Sequence, residues 1–316
     1  MSDDLYDLRV SLLLGNYATA INDGTGRTIK GKSDEASTWE RDFILLRAHI
    51  ALRQYDVVTA ELAKRTTDNA KAFAAMVAFL RAQETSNNEG MKTALEKIGT
   101  LVGAVKEWSS ANSSLAISAA TAYIRDRQFQ AAMPLIHTVT TTLSTLPTPP
   151  VPAILELRSM MVDCLLRLHR PDLAEKECAE MAKLDDDSLF TTLATVSVFL
   201  AVGQSKPDKL REAMTLTEDV RDKNGSSVLL LNIMANINMV QGKYDQAEKY
   251  LLDALEKRST DVDTLVALSV CSLHMKKSSE LVQRYLSQLK TSSPYHPWVQ
   301  NYVAQEQKLA ALKQQS

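Results

Sequence analysis

Residues 228–255 read VLLLNIMANINMVQGKYDQAEKYLLDAL. Two amphipathic helices joined by one tight turn account for this spacing. The first helix covers 228–240 and sets Leu231, Met234, Ala235 and Asn238 on one side at helical period. The turn Gln241-Gly242-Lys243 follows, where Gly242 supplies the positive φ that closes a helix. The second helix repeats the period with Tyr244, Ala247, Leu251, Ala254 and Leu255. Small side chains at Ala235, Ala247 and Ala254 let the two backbones approach, and Tyr244 and Leu251 fill the space beside them. One hairpin cannot bury such a face alone, so neighbouring hairpins are required.

The rest of the chain supplies them. Gly15, Tyr17 and Ala20 stand at the offsets of Gly242, Tyr244 and Ala247. A helix is expected to restart near Ser37, with Ser37 and Glu40 as a capping box and Phe43, Leu46, Ala48 and Ile50 as its stripe. Arg53-Gln54-Tyr55 is a degenerate copy of the turn. Helices over 70–82 and 89–105 follow, broken at Ser86-Asn87-Asn88. Ala116, Ala119, Ala120 and Tyr123 precede the turn Arg127-Gln128-Phe129, and Pro134 lies early in the next helix, where a lost N–H costs least.

Beyond residue 150 the pairs continue. Helices over 154–168 and 173–181 meet at Arg170-Pro171-Asp172, and Asp185, Asp186, Asp187 and Ser188 cap a helix over 189–202. A longer turn at 203–207 precedes a helix that begins near Pro207 and ends at Val220. After the opening hairpin, 265–275 pairs with 280–289, Pro294 and Pro297 bracket a break, and 298–312 forms a terminal capping helix with a polar tail. Two stretches stand apart: 22–33 reads as a flexible polar loop, and TLPTPPVP at 145–152 as an extended connector, partly polyproline II. Gly-x-Tyr-x-x-Ala at a period of about 34 residues is the tetratricopeptide pattern. The reading is an all-α, tetratricopeptide-repeat-like solenoid, a right-handed superhelix of about eight helix pairs in a single domain over 1–316, with no period-2 strand pattern.

Composition agrees with a helical chain. Of 316 residues, 45% are hydrophobic but only 6% aromatic, which excludes a disordered tail and disfavours a β-sandwich. A formal net charge of −2 with no long Lys/Arg block predicts no nucleic-acid partner. The start, MSDDLYDLRV, lacks a signal sequence, and no apolar run reaches membrane-spanning length. Cys164, Cys178 and Cys271 sit inside helical patterns and read as buried free thiols, so a cytosolic chain is expected.

One motif points to chemistry. GRTIKGKS at 26–33 matches the phosphate-binding loop G-x-x-x-x-G-K-[ST], in which Lys32 would meet phosphate and Ser33 a magnesium ion. That loop needs an entering parallel strand, and here a helical segment enters, so a flexible loop is the favoured reading. His49, His137, His169, His274 and His296 are scattered and show no zinc spacing. The carboxylates at 185–187 and 261–263 are explained by helix capping and dipole. The expectation is a chain without catalytic residues, cofactor or metal.

What remains is surface. In a solenoid of helix pairs, the first helix of each pair lines the concave side. The candidates for a partner-binding face are therefore Ile117, Thr121 and Ile124; Ser159, Asp163 and Leu166; Leu229, Asn232, Asn236, Met239 and Val240; and Val266, Val270 and Leu273. The alternative is that several of them pack against neighbouring helices. The set is largely apolar and poor in Lys and Arg, which suits a folded or strand-like piece of a larger protein better than a free C-terminal carboxylate.

Several stretches together resemble the epsilon subunit of coatomer. They are Leu5-Tyr6-Asp7 with Gly15-Asn16-Tyr17; Glu40-Arg41-Asp42 with Arg47-Ala48; Leu165-Leu166-Arg167-Leu168 with Asp172-Leu173-Ala174; and Met181-Ala182-Lys183-Leu184-Asp185 followed by Leu193-Ala194-Thr195. Leu229-Leu230-Leu231-Asn232 with Gln241-Gly242-Lys243-Tyr244 adds to them. The most specific is Arg284-Tyr285-Leu286-Ser287-Gln288-Leu289-Lys290 with His296-Pro297, because the repeat does not demand it. The resemblance implies a non-enzymatic coat subunit that wraps the C-terminal region of the coatomer alpha subunit, among the other coatomer subunits. It implies a cytoplasmic chain, peripheral on Golgi membrane and coat protein I vesicles only through the assembled coat, acting in retrograde Golgi-to-endoplasmic reticulum and intra-Golgi transport. The competing reading is a tetratricopeptide-repeat adaptor or co-chaperone that binds another protein's tail.

Overall fold

A computed structural model describes residues 5–25 and 35–315. Among the described residues it is all helix and turn, with seventeen α-helices and no strand. The chain divides into two compact units, residues 1–82 with 87–202, and 203–316 with the short segment 83–86.

Unit 1 holds α1 (Tyr6–Leu13), α2 (Tyr17–Gly24), α3 (Glu35–Ala51), α4 (Tyr55–Leu62), α5 (Asp68–Glu84), α6 (Asn88–Ala104), a 3₁₀ turn (Ser110–Asn112), α7 (Ser113–Arg125), α8 (Phe129–Ser144), α9 (Val151–Arg167), α10 (Pro171–Leu184) and α11 (Leu189–Val202). First helices of successive pairs pack side by side, α1 on α3 and α9 on both α7 and α11, while the second helices α2, α6, α8 and α10 each pack on the first helix that follows. Unit 2 holds α12 (Pro207–Asn224), α13 (Val228–Val240), α14 (Tyr244–Lys257), α15 (Val262–His274), α16 (Ser279–Ser292) and α17 (Pro297–Gln315). There α13 packs on α14 and α15, and α15 on α16. These are the nearest-neighbour contacts expected of the repeat, to which α3 adds longer-range contacts with α7 and α9.

The turns explain why the helices stop where they do. In seven pairs the first helix ends on a residue at positive φ: Gly15, Arg53, Ser86, Arg127, His169, Gly242 and Lys276, with φ between 53° and 79°. The N–H of the following residue then donates to the carbonyl five residues back, as Asn16 does to Ser11 (2.9 Å), Gln128 to Tyr123 (2.8 Å) and Lys243 to Asn238 (2.8 Å). These are Schellman closures, which use carbonyls the last turn would leave unpaired. An aromatic then opens the second helix at Tyr17, Tyr55, Phe129 and Tyr244. Only two of the seven positions hold glycine, so a Cβ is carried in the left-handed region at the other five. Arg127→Gly is therefore expected to raise the unfolding free energy by a few tenths to about 1 kcal/mol, since relief of that strain outweighs the added chain entropy. Urea unfolding of the two forms checks this, and a less stable glycine variant would contradict it.

Three boundaries differ from expectation. Asn22, Asp23 and Gly24 finish α2 and are not loop, because Gly24 is buried beneath Leu45, so closely that a Cβ there would clash with it. α3 already runs at Glu35, two residues ahead of Ser37, so Ser37 lies inside the helix and not at its cap. The connector after α8 spans 145–150 only. Val151 and Pro152 form the first turn of α9, where a missing N–H forfeits no intrahelical bond. The segment 26–33, with Lys32 and Ser33, lies outside the described residues.

In unit 1 the core draws on first helices and on second-helix residues such as Val58, Ile98 and Ile136. Trp39 and Phe43 of α3 meet Phe73 of α5 edge-on, with ring centroids 6.4 and 5.1 Å away. The indole N–H of Trp39 donates to Ser114 Oγ of α7 at 2.7 Å, and Arg47 of α3 pairs with Glu156 of α9. In unit 2 Ala235, Ala247, Leu251, Leu265, Leu268 and Cys271 form the corresponding core.

Candidate partner-binding face

The first helices place the expected lining residues in two different situations. In unit 1, Ile117 and Ile124 of α7 are buried, 4% and 6% exposed, in the cluster that holds Trp39, Phe43 and Leu46 of α3. Thr121 is half-buried and its hydroxyl donates to the Ile117 carbonyl (2.7 Å). On α9, the Ser159 hydroxyl donates to the Glu156 carbonyl (2.7 Å), Asp163 pairs with Arg167 (2.9 Å), and Leu166 packs on the α9–α11 core that Leu13 of α1 also touches. The two isoleucines are thus core residues, as the packing alternative holds. Residues of α3, which reaches α7 through Trp39 and α9 through Arg47, share their cluster, and no local period reports such a return.

Unit 2 leaves its face open. Leu229, Asn236 and Val240 of α13 are exposed, Met239, Val266 and Val270 are half-buried, and Leu273 of α15 is 61% exposed. Their helical neighbours Leu230, Leu231, Met234, Ala235 and Ile237 turn inward. Asn232 departs from expectation: only 8% exposed, it gives its amide to Asp261 Oδ2 (3.2 Å) and takes a hydrogen bond from Thr264 (2.9 Å). Asp261 in turn accepts from the Thr264 N–H (3.1 Å) and caps α15. A buried amide is tolerated only with such partners. The exposed residues are therefore apolar on two packed first helices, with Asn236 as their polar member.

The titratable groups offer little chemistry. Burial pushes the Cys164 and Cys178 thiols up to about 11, and burial raises Cys271 as well, so all three stay protonated thiols at neutral pH. His274 stacks flat on Tyr244 with centroids 4.5 Å apart. Among the described residues no three His, Cys, Asp or Glu side chains gather as a metal site would require, and no helix is long and apolar enough to cross a membrane. Sequence reasoning misses the contacts of Trp39 with Ser114 and of Arg47 with Glu156, which join α3 to α7 and α9. The one available sign is Glu156, a lone carboxylate inside the apolar run Ile154-Leu155-Glu156-Leu157.

The family model for the coatomer epsilon subunit matches residues 1–316. The chain belongs to the coatomer epsilon subunit family. Coatomer subunit epsilon-1 of Oryza sativa subsp. japonica is 31% identical over 309 residues, covering 96% of this chain and 95% of that protein. Coatomer subunit epsilon-1 of Arabidopsis thaliana is equally similar, at 31% over 309 residues, with 96% and 94% covered. The epsilon subunit of Dictyostelium discoideum is 29% identical over 307 residues, with 94% of each covered. Among solved structures, a chain of the APC/C hetero-tetramer Cut9–Hcn1 superposes with a TM-score of 0.58 at 11% identity, covering 95% of this chain and 55% of that one. A tetratricopeptide repeat protein from Parabacteroides merdae gives 0.55 at 11%, with 88% and 93% covered. At those identities the structures speak for the fold alone, which is the tetratricopeptide-like one. The chain is thus a coatomer component built as a helical-repeat scaffold, and epsilon-family membership implies association with other coatomer subunits.

Proposed function

We propose that this chain holds the C-terminal region of the coatomer alpha subunit, and does so through the open first-helix face of unit 2. The observation that carries the reading is the cluster of exposed apolar side chains on α13 and α15, led by Leu273 and joined by Leu229 and Val240. Single exposed apolar residues need no explanation, but three on two packed helices, alongside half-buried Met239, Val266 and Val270, point to a partner. The face carries no Lys or Arg among its candidate residues, which speaks against capture of a free terminal carboxylate and so against the adaptor or co-chaperone alternative. In this reading the chain works without a catalytic step. It is cytoplasmic, meets Golgi membrane only peripherally through the coat, and supports retrograde Golgi-to-endoplasmic reticulum and intra-Golgi transport by bracing the alpha subunit.

Leu273→Asp and Val240→Asp test it. Each places a carboxylate where burial against a partner would leave it unpaired, so affinity for a C-terminal fragment of the alpha subunit should fall at least a hundredfold, corresponding to roughly 3 kcal/mol. Both positions are exposed, so the thermal midpoint of the free chain should hold. Calorimetric titration against that fragment reads the outcome. Unchanged binding of both variants, or recovery of chaperones in place of coat subunits in co-purification, would reject the proposal.

A further inference from the structure

Beneath the open face, three polar side chains join α13 to α15. Thr264 is fully buried, and its hydroxyl lies 2.9 Å from Asn232 Oδ1 and 2.8 Å from Asp261 Oδ2, with one proton to share between them. The Asn232 amide donates to the same Asp261 oxygen at 3.2 Å, and the other oxygen faces Arg258 Nη1 at 3.4 Å. Around this network the α13–α15 contact is apolar, built from Ala235, Leu265, Leu268 and Cys271. An apolar seam between helices tolerates small slides, because its attraction is not directional. A hydrogen-bond set with two buried members does not, since a slip would strand the Asn232 or Thr264 group away from water. Asn232 stands one turn from Leu229 and one turn from Asn236, and Thr264 stands in the turn that carries Val266. Whatever fixes these two residues also fixes the exposed ones.

We infer that the Asn232–Asp261–Thr264 network is a register lock, which holds the exposed residues of α13 and α15 as one binding surface. Asn232 and Thr264 are in this sense positioning residues for partner capture. The binding consequence rests on the partner reading above, whereas the lock itself has a second consequence, in the free chain, that does not. Best attested among the uses of buried polar groups is this setting of register.

The test is the double substitution Asn232→Leu with Thr264→Val in the full chain. It removes the hydrogen-bonding groups of Asn232 and Thr264 and leaves the half-buried Asp261 carboxylate its backbone cap from position 264 and its Arg258 contact. The thermal midpoint is expected to fall by only a few degrees, because Asn232 and Thr264 lose each other together while the half-buried Asp261 keeps two of its partners. Dissociation of the alpha-subunit fragment should become at least tenfold faster, and Thr264→Ser, which keeps the hydroxyl, should dissociate like the native chain. In the free chain, amide hydrogen exchange in 228–240 and 262–268 should accelerate at least tenfold relative to 244–257. A double variant whose dissociation and exchange both match the native chain would overturn the lock. Should the native chain fail to bind the fragment, the partner reading falls and the exchange arm alone decides the lock.

Discussion

Phe73→Ala is expected to lower the unfolding free energy by roughly 3–5 kcal/mol. The ring is 1% exposed and meets Phe43 edge-on at 5.1 Å and Trp39 at 6.4 Å, with Trp39 and Phe43 themselves 6.0 Å apart. Truncation removes the transfer energy of the ring and leaves a cavity between α3 and α5. It also breaks edge-on aromatic pairs, each worth about 0.5–1.5 kcal/mol. Surrounding side chains have little freedom to collapse, because Trp39 is tied to Ser114 and Arg65 lies over its ring at 5.4 Å. Phe73→Leu, which conserves most of the volume, should cost less than about 1.5 kcal/mol. Guanidinium unfolding of the three proteins decides the matter, and an alanine variant within about 1 kcal/mol of the native chain would mean that α3 does not pack on α5 as described.

Arg47→Ala should cost a comparable amount, roughly 3–5 kcal/mol, for a different reason. Glu156 is 8% exposed among Ile154, Leu155 and Leu157, and Arg47 neutralises it from across the unit while lying 5.2 Å above the Phe43 ring. Without the guanidinium a buried carboxylate loses its ion-pair partner, which costs far more than the pair itself contributes. The informative comparison is the double variant Arg47→Met with Glu156→Leu, expected to be neutral or more stable than the native chain. Unfolding free energies measured at pH 7 for the single and double variants form the cycle. A double variant as unstable as Arg47→Ala would assign the loss to lost packing and not to the stranded charge.

How far the sequence is legible follows from the range of the forces involved. Helix pairing can be read at Gly15-Asn16-Tyr17 and Gln241-Gly242-Lys243-Tyr244, because glycine at a turn and an aromatic after it act within a few residues. The end of α2 escapes a local reading, since Gly24 looks like a loop residue until Leu45 is seen above it. Pro152 misleads in the same way: proline marks both a break and a first turn. For the face, helical period puts Leu229, Val240 and Leu273 on exposed surface and they are found there, whereas Ile117, Ile124 and Asn232 are buried. The difference is non-local. Helical period assigns a side to each residue, but α3 packing over α7 and α9, and Asp261 reaching Asn232, depend on residues tens to more than a hundred positions away.

The Schellman closures have a consequence for how such chains diverge. Because each hinge between paired helices is secured by main-chain amides and carbonyls, its geometry tolerates arginine, serine, histidine or lysine where a consensus would demand glycine. Architecture is then written in peptide groups common to every residue, and side-chain identity can drift with little penalty. A superposition at a TM-score of 0.58 with 11% identical positions shows one fold carried by two different sets of side chains.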